Sequence, residues 1–461
     1  MKRDYLIREK PVKALLVFAF PMMVGNLFQQ FYTMADSVVV GRFVGQNALA
    51  AVGASYSLTN VFISIAIGGG VGSSVITGQY FGAGNYAKMK QSVRTALTAF
   101  LVLSLLLGGI GLAFSTEILT WLKTPDDILG QAAEYLRIYF LGLPFLFMYN
   151  IFSAMFQALG RSKIPLYLLI FSSVFNIGLD VFLVCSAGMG IAGVAWATLI
   201  AQGISAVLAA VIFAREMRSY PENHETGTDA GRAGYRGGWF DKNAFLLMAG
   251  VALPSILQQS TVSIGMMLVQ SVINSFGAEA LAGYSAGMRI ESFCIVPMAA
   301  MGNAVSAYTA QNIGAQRQER VIKGYRAGYW IVAAFAVLIC VWVEGSYTSL
   351  ILLFLGEGGT AEAMATGTAY LKFIGWFFVL IGLKMITDGV LRGSGDMKMF
   401  TVANLVNLGI RVMMAATLAP VYGIAMVWMA VPVGWLANYL ISYAQYRTGK
   451  WRTAAAAVRE G

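Results

Sequence analysis

Charge is what this chain has least of. Only 12% of its 461 residues are charged, where soluble domains carry about one quarter. Against 58% hydrophobic residues, that shortage excludes an ordinary water-soluble globule. Histidine occurs once, at His224, and cysteine three times, at Cys185, Cys294 and Cys340, with none in a metal-ligand spacing. With no His or Cys pair, no nucleophile motif and no phosphate loop, an enzyme and a bound cofactor are both excluded. His224 sits in the one long polar segment and reads as a solvated loop residue rather than a proton relay. Short alternating segments of the kind that build a membrane β-barrel are also missing.

What the sequence has is long apolar runs. Twelve stretches approach or exceed the roughly 20 residues that a helix needs to cross the hydrocarbon core. They include 14–40, 50–79, 134–158, 164–186, 190–214, 243–273, 280–310 and 367–391. The fold class is therefore all-α: a polytopic membrane protein of twelve transmembrane helices. The first span follows a basic leader, 1–13, which is expected to lie at the interface; it lacks a small-residue cleavage site and is read as retained.

The net charge of +10 could suggest nucleic acid, but its distribution says otherwise. Twenty-five of the 32 Lys and Arg residues fall in the segments on one side of the spans, including Lys88, Lys90, Arg94, Arg161, Lys163, Arg392 and Lys398. The opposite loops carry Lys123 and mostly acids, among them Glu117, Asp126, Asp127 and Glu362. By the positive-inside rule, both termini and the central loop are cytoplasmic. The basic excess is a topology signal, and no nucleic-acid partner is expected.

The order of the chain gives an N-terminal six-helix lobe at 1–215, a polar linker at 216–242, a C-terminal six-helix lobe at 243–446 and a tail at 447–461. The halves repeat each other. Residues 77–83, TGQYFGA, stand 232 before 309–315, TAQNIGA, and the same offset sets Arg94 over Arg326. GIAGV at 190–194 stands 233 before GIAMV at 423–427, and Pro21 the same distance before Pro254. Six spans per repeat is an even number, so both repeats enter from one side, related by an axis along the membrane normal. Two bundles around a central cleft, working by alternating access, are expected.

The small residues Gly68, Gly69, Gly70, Gly72, Ser73 and Ser74 allow close helix approach within the second span. Pro21 and Pro254 interrupt the first spans of the two repeats and read as bends with a function.

Polar residues inside the spans carry the functional argument. Asp36 is the one acid of the first span. Counting helical rise inward from the outer ends places Asp36, Asn150, Asn176, Asp180 and Thr198 in one layer of the N-terminal half. Asn176 and Asp180 share a helix face. Two carboxylates, two amides and a hydroxyl suit a hard cation such as Na⁺, or a carboxylate pair that shares a proton. The plainer reading is that each polar group bonds only to a neighbouring helix. In the C-terminal half, Lys384 and Asp388 form an i, i+4 pair that is either structural or lines a cavity with Gln259. Arg289, Glu291 and Arg411 are further intramembrane charges without an evident role. Coupling is expected in the N-terminal half. Met and aromatic residues such as Met34, Met148, Phe28 and Tyr32 offer adaptable apolar surface for flat organic cations.

The stretch FPMMVGNLFQQFYTMADSVVVGRFVG with ALAAVGAS, then TGQYFGAG, QALGRSK, ALAGYSAGMRI, TAQNIGA and LRGSGDMK, resembles the multidrug and toxic compound extrusion (MATE) family over nearly the whole chain. The resemblance implies a multidrug efflux antiporter of a prokaryotic inner membrane, acting as a monomer and exchanging organic cations or drugs for Na⁺ or H⁺. By position, Asp36, Asn150, Asn176, Asp180 and Thr198 match the family's N-lobe cation site, with Na⁺ expected at Asp36, Asn176, Asp180 and Thr198. Pro21 matches a proposed bend in the first helix. NorM-like members carry acids in the seventh and tenth spans; here the seventh has none and Asp388 is out of register, which favours a DinF-like branch. Two rival readings share this plan. A flippase for a lipid-linked saccharide would need cavity cations, which Arg289, Lys384 and Arg411 could supply. A facilitator-superfamily transporter would need a basic loop motif between the second and third spans, and none is present.

Overall fold

A computed structural model describes residues 4–221, 238–356 and 359–453; the side chains of residues 35–39, 42, 46, 47, 49 and 57 lie outside the described residues, as does His224. Among the described residues there is no strand. A short helix α1 (Tyr5–Arg8) precedes α2 (Pro11–Val39), α3 (Gln46–Gly82), α4 (Tyr86–Trp121), α5 (Asp126–Ala158), α6 (Lys163–Val181) and α7 (Gly190–Arg218). The second half holds α8 (Lys242–Asn274), α9 (Ala278–Gly314), α10 (Gln318–Leu355), α11 (Ala361–Gly375), α12 (Phe378–Ser394), α13 (Met397–Tyr422) and α14 (Ala425–Arg447).

Eleven of these helices are long and apolar enough to cross a membrane, and α11 with α12 makes a twelfth, broken span. The sequence reads that span as one run at 367–391. Instead the chain bends by 54° between Gly375 and Phe378. The break contains no proline. It is closed by tight i to i+3 bonds, with Phe377 N–H donating to Ile374 C=O and Leu380 N–H to Phe377 C=O, both at 2.9 Å. A hydropathy average slides across such a bend without registering it.

The repeat is written in the backbone as well as in the sequence. Gly45 and Gly277 each precede the second helix of their half with φ of 111° and 96°. Gly84 and its counterpart Gln316 both turn left-handed, at 72° and 57°. A glutamine in that region is uncommon, so the duplicated turn holds its shape even where glycine is replaced.

The chain forms two compact units. One holds Met1–Met23 with Leu257–Gly461, and the other holds Val24–Ile256. The sequence halves at 1–215 and 243–446 therefore exchange the opening stretches of their first long helices. Both crossings fall two residues after a proline, Pro21 in α2 and Pro254 in α8. A proline inside a helix removes one backbone hydrogen bond and crowds the preceding turn, so each helix is weakest where it leaves one unit for the other.

Glycine fixes the start of α8 within Val24–Ile256. A Cβ added at Gly68 would lie 2.6 Å from Ile256 Cα, and one at Gly72 would lie 2.4 Å from Ala252 N. Only a bare Cα lets α3 and α8 meet so closely. In the other unit, the leader packs against α9 and the start of α10. Leu6 is fully buried, its carbonyl accepts from Asn312 Nδ2 at 3.1 Å, Ile7 C=O accepts from Arg317 at 3.0 Å, and Glu9 C=O accepts from Arg320 at 2.7 Å.

Candidate functional site

The polar layer anticipated in the N-terminal half is built on the Val24–Ile256 unit. Helix α6 presents Asn176 and Asp180 one turn apart, and both are buried, with relative exposures of 2% and 0%. On α7, Thr198 Oγ1 accepts a long hydrogen bond of 3.4 Å from Asn176 Nδ2. The other end of that amide is unmet: Asn176 Oδ1 is buried and has no hydrogen-bond partner among the described residues. Buried acceptors without partners are rare in folded proteins because losing water costs about 1 to 3 kcal/mol. Thr198 also borders a crevice of about 10 Å³ between α5 and α7, shared with Tyr135, Tyr139 and Gln202. That is room for about one water molecule.

Asn150 stands apart from this group. Its Nδ2 donates to the carbonyl of Leu146 on its own helix at 2.8 Å. That bond uses one of the amide's two N–H donors and leaves the other, with the oxygen, for a neighbour.

Asp36 lies in α2, but its side chain is outside the described residues. The backbone nevertheless fixes its level. A Cβ at Gly25 would touch Leu166 and Leu169 of α6 at 3.7 Å. From that contact, α2 and α6 both climb about 16 to 21 Å to Asp36 and Asp180, at ~1.5 Å per residue. Just beyond each acid the helix loosens into a π turn, Val40–Val44 after α2 and Phe182–Ser186 after α6. The two π turns pack on one another. Val44 also reaches the start of α7, where a Cβ on Gly190 would lie 3.9 Å from its Cγ1. Sequence reasoning missed these turns, because both sit inside continuous apolar runs. Single π turns within helices recur at functional sites, where they re-aim nearby side chains.

In the C-terminal half a charged pair is tied to neighbouring helices, although Asn407 Oδ1 on α13 and Asn438 Nδ2 on α14 are also buried without a hydrogen-bond partner among the described residues. Lys384 Nζ and Asp388 Oδ2 are 3.1 Å apart on α12, and both side chains are about 7% exposed. Lys384 Nζ also donates to Asn404 Oδ1 of α13 at 3.3 Å, and Asp388 Oδ1 accepts from Ser442 Oγ of α14 at 2.7 Å. One turn away, Thr387 Oγ1 is bonded to the hydroxyls of Tyr325 at 3.1 Å and Tyr329 at 2.9 Å. Gln259 stands outside this network: among the described residues no hydrogen bond joins it to the pair, and its carbonyl accepts from Ser263. Glu291 is buried and accepts from the Tyr370 hydroxyl, whereas Arg289, two residues earlier, is exposed. Glu291 and Arg289 therefore do not form a pair.

Among the described residues, no three His, Cys, Asp or Glu side chains cluster in a way that could hold a metal ion. The described donors of the N-terminal layer are one carboxylate, an amide oxygen and a hydroxyl. This set fits a hard, weakly held cation or a proton better than a resident transition metal.

A family model described as MatE matches residues 21–182 and 254–417, once in each half. The probable multidrug resistance protein YpnP of Bacillus subtilis (strain 168) is 31% identical over 444 residues, covering 96% of each chain. The probable multidrug resistance protein YoeA of the same organism is 29% identical over 94% of this chain and 93% of its own. The crystal structure of MATE in the bent conformation shares the fold, with a TM-score of 0.88 at 22% identity over 99% of both chains.

Proposed function

The chain belongs to the MatE family of multidrug efflux transporters, and from that premise we propose that it exports organic cations in exchange for inward Na⁺ or H⁺. The coupling ion occupies the layer formed by Asp180, Asn176 and Thr198, with Asp36 completing it and Asn150 supporting it. Both termini and the central loop face the cytoplasm, as the basic loops direct.

One observation carries this reading: of the buried polar atoms without a partner among the described residues, Asn176 Oδ1 is the one that lies a helical turn from the fully buried carboxylate of Asp180. An acceptor in that position is satisfied by a cation that enters and leaves. Bound ion neutralises the layer, weakens retention of a cationic substrate and favours its release outside; by linkage, bound substrate weakens the ion to the same degree. Pro21 supplies the weakened point at which the first helix adjusts, where the chain passes between the two compact units.

A flippase for a lipid-linked saccharide has less support, since Lys384 is engaged by Asp388 and Asn404 rather than left to meet a pyrophosphate.

The test is ethidium loss from proteoliposomes under an imposed Na⁺ gradient in one sample and a pH gradient in another. Acceleration by one gradient, lost in Asp36→Asn and Asp180→Asn, is the expected result and names the ion. Ethidium retained under both gradients would overturn the antiport reading.

A further inference from the structure

A second feature of the Val24–Ile256 unit is independent of the ion layer. Between α4, α5 and α7, at the end that carries the basic loops, lies a groove of about 580 Å³. This is within the range of about 300 to 1,000 Å³ typical of small-molecule sites. Its two ends differ in chemistry. Lys90, Arg94 and Arg218 line the end nearest the loops, and Leu97, Phe152 and Phe213 line the deeper part. Among the described residues, none that lines it is acidic. Lys90 is anchored, donating to the Tyr220 carbonyl at 3.0 Å. Among the described residues, neither Arg94 nor Arg218 is engaged by a carboxylate, and both are exposed. The nearest acid on α7, Glu216, faces Arg161 at 3.1 Å and accepts from the Tyr220 hydroxyl.

The other repeat shows what this volume is when the chain fills it by itself. At the offsets of 232 and 233, Val93 corresponds to Tyr325, Leu97 to Tyr329, Phe213 to Tyr446 and Arg218 to Trp451. Those four rings form one stack. Centroids are 4.1 Å apart for Tyr325 and Tyr446, 4.3 Å for Tyr325 and Tyr329, and 5.8 Å for Tyr446 and Trp451. Trp451 is 1% exposed, and its Nε1 donates to the Tyr446 carbonyl at 3.1 Å. Smaller side chains at 93 and 97, and an arginine where the tryptophan would close the stack, leave the N-terminal repeat open.

We propose that this groove is a binding site for an anionic phospholipid, its phosphate held by Arg94, Arg218 and Lys90 and one acyl chain laid along Leu97, Phe152 and Phe213. The occupant follows from charge and shape together. Two exposed arginines that no carboxylate among the described residues engages select an anion, at the membrane face where anionic headgroups meet basic pockets between helices. The apolar wall directly below the cations selects an anion that carries a hydrocarbon chain over a free phosphate.

Native mass spectrometry of the purified full-length protein tests this, with dioleoyl phosphatidylglycerol, dioleoyl phosphatidylcholine and glycerol 3-phosphate as probes. The wild type is expected to retain one phosphatidylglycerol in preference to phosphatidylcholine, with glycerol 3-phosphate failing to compete. Arg94→Gln with Arg218→Gln, both exposed positions, should weaken that binding roughly thirtyfold. Val93→Tyr with Leu97→Tyr keeps both arginines and copies the rings of the other repeat, and should remove the lipid by filling its groove. Equal retention of phosphatidylcholine, competition by glycerol 3-phosphate, or undiminished phosphatidylglycerol binding in the arginine variant would each overturn the proposal.

Discussion

The two halves of this protein descend from one repeat, yet their buried acids sit in different company. In the C-terminal half, Lys384 and Asp388 neutralise each other and are tied to Asn404 and Ser442 on separate helices. In the N-terminal half, a fully buried Asp180 shares a layer with an amide oxygen that has no partner among the described residues. A satisfied network rigidifies the helices that contribute to it, whereas an unmet acceptor leaves a place for something else. On the proposed reading, the tied pair serves structure in one half and the layer at Asp180 carries the ion in the other.

Five variants would break or sharpen that contrast. The largest effect is expected from Asp180→Asn, which should reduce gradient-driven ethidium efflux to background while Lys384→Met with Asp388→Leu retains it. If the C-terminal double variant abolishes coupling as completely as Asp180→Asn, the contrast is wrong. Next comes Asp388→Asn alone, which leaves Lys384 charged and buried. It should lower stability by about 3 to 5 kcal/mol in detergent melts, and the double variant should recover most of that loss. A third, smaller effect is expected of Asn176→Ala. Removing the unmet oxygen should raise the ion concentration for half-maximal efflux about tenfold, without lowering the melting temperature. The smallest effect is that of Thr198→Val, which removes one long hydrogen bond. About 1 kcal/mol, or roughly fivefold in the same ion titration, is the ceiling for it.

Pro21 and Pro254 extend the comparison to the backbone. Each lies two residues before the point where its helix passes between the compact units. Pro21→Ala should preserve binding of ethidium, measured by fluorescence anisotropy, and slow efflux, because a continuous hydrogen-bond ladder stiffens the bend. Unchanged efflux would make the bend a static one.

Much of the candidate site was legible in the sequence. Asn176 and Asp180 are four apart on an apolar run, and helical geometry alone puts them on one face. Thr198 could be added by counting rise from a predicted helix start, and the 3.4 Å contact to Asn176 agrees with that count. Asn150 shows the limit of this method. Depth was inferable, but the direction of its amide is set by the Leu146 carbonyl of its own helix. Gln259 had no such guide and was grouped with Lys384 and Asp388 on polarity alone. The π turns after α2 and α6 left no mark in composition, since one extra residue per turn changes neither hydropathy nor periodicity over so short a length.

The sequence by itself determined the class of the molecule, its twelve spans, the gathering of its basic residues in alternate loops and the duplication that built it. Those properties are sums over local stretches: hydrophobic length measured against a bilayer, loop charge measured against an interface, and similarity at a fixed offset. The tertiary structure alone decided which unit each half of α2 and α8 joins, where the tenth span bends, which buried charge is answered and which oxygen is left open. Each of these depends on partners tens to hundreds of residues away, such as Gly72 against Ala252 or Asp388 against Ser442. A hydrogen bond or a backbone contact reaches only a few ångströms, so which distant residues meet is settled by packing and not by composition.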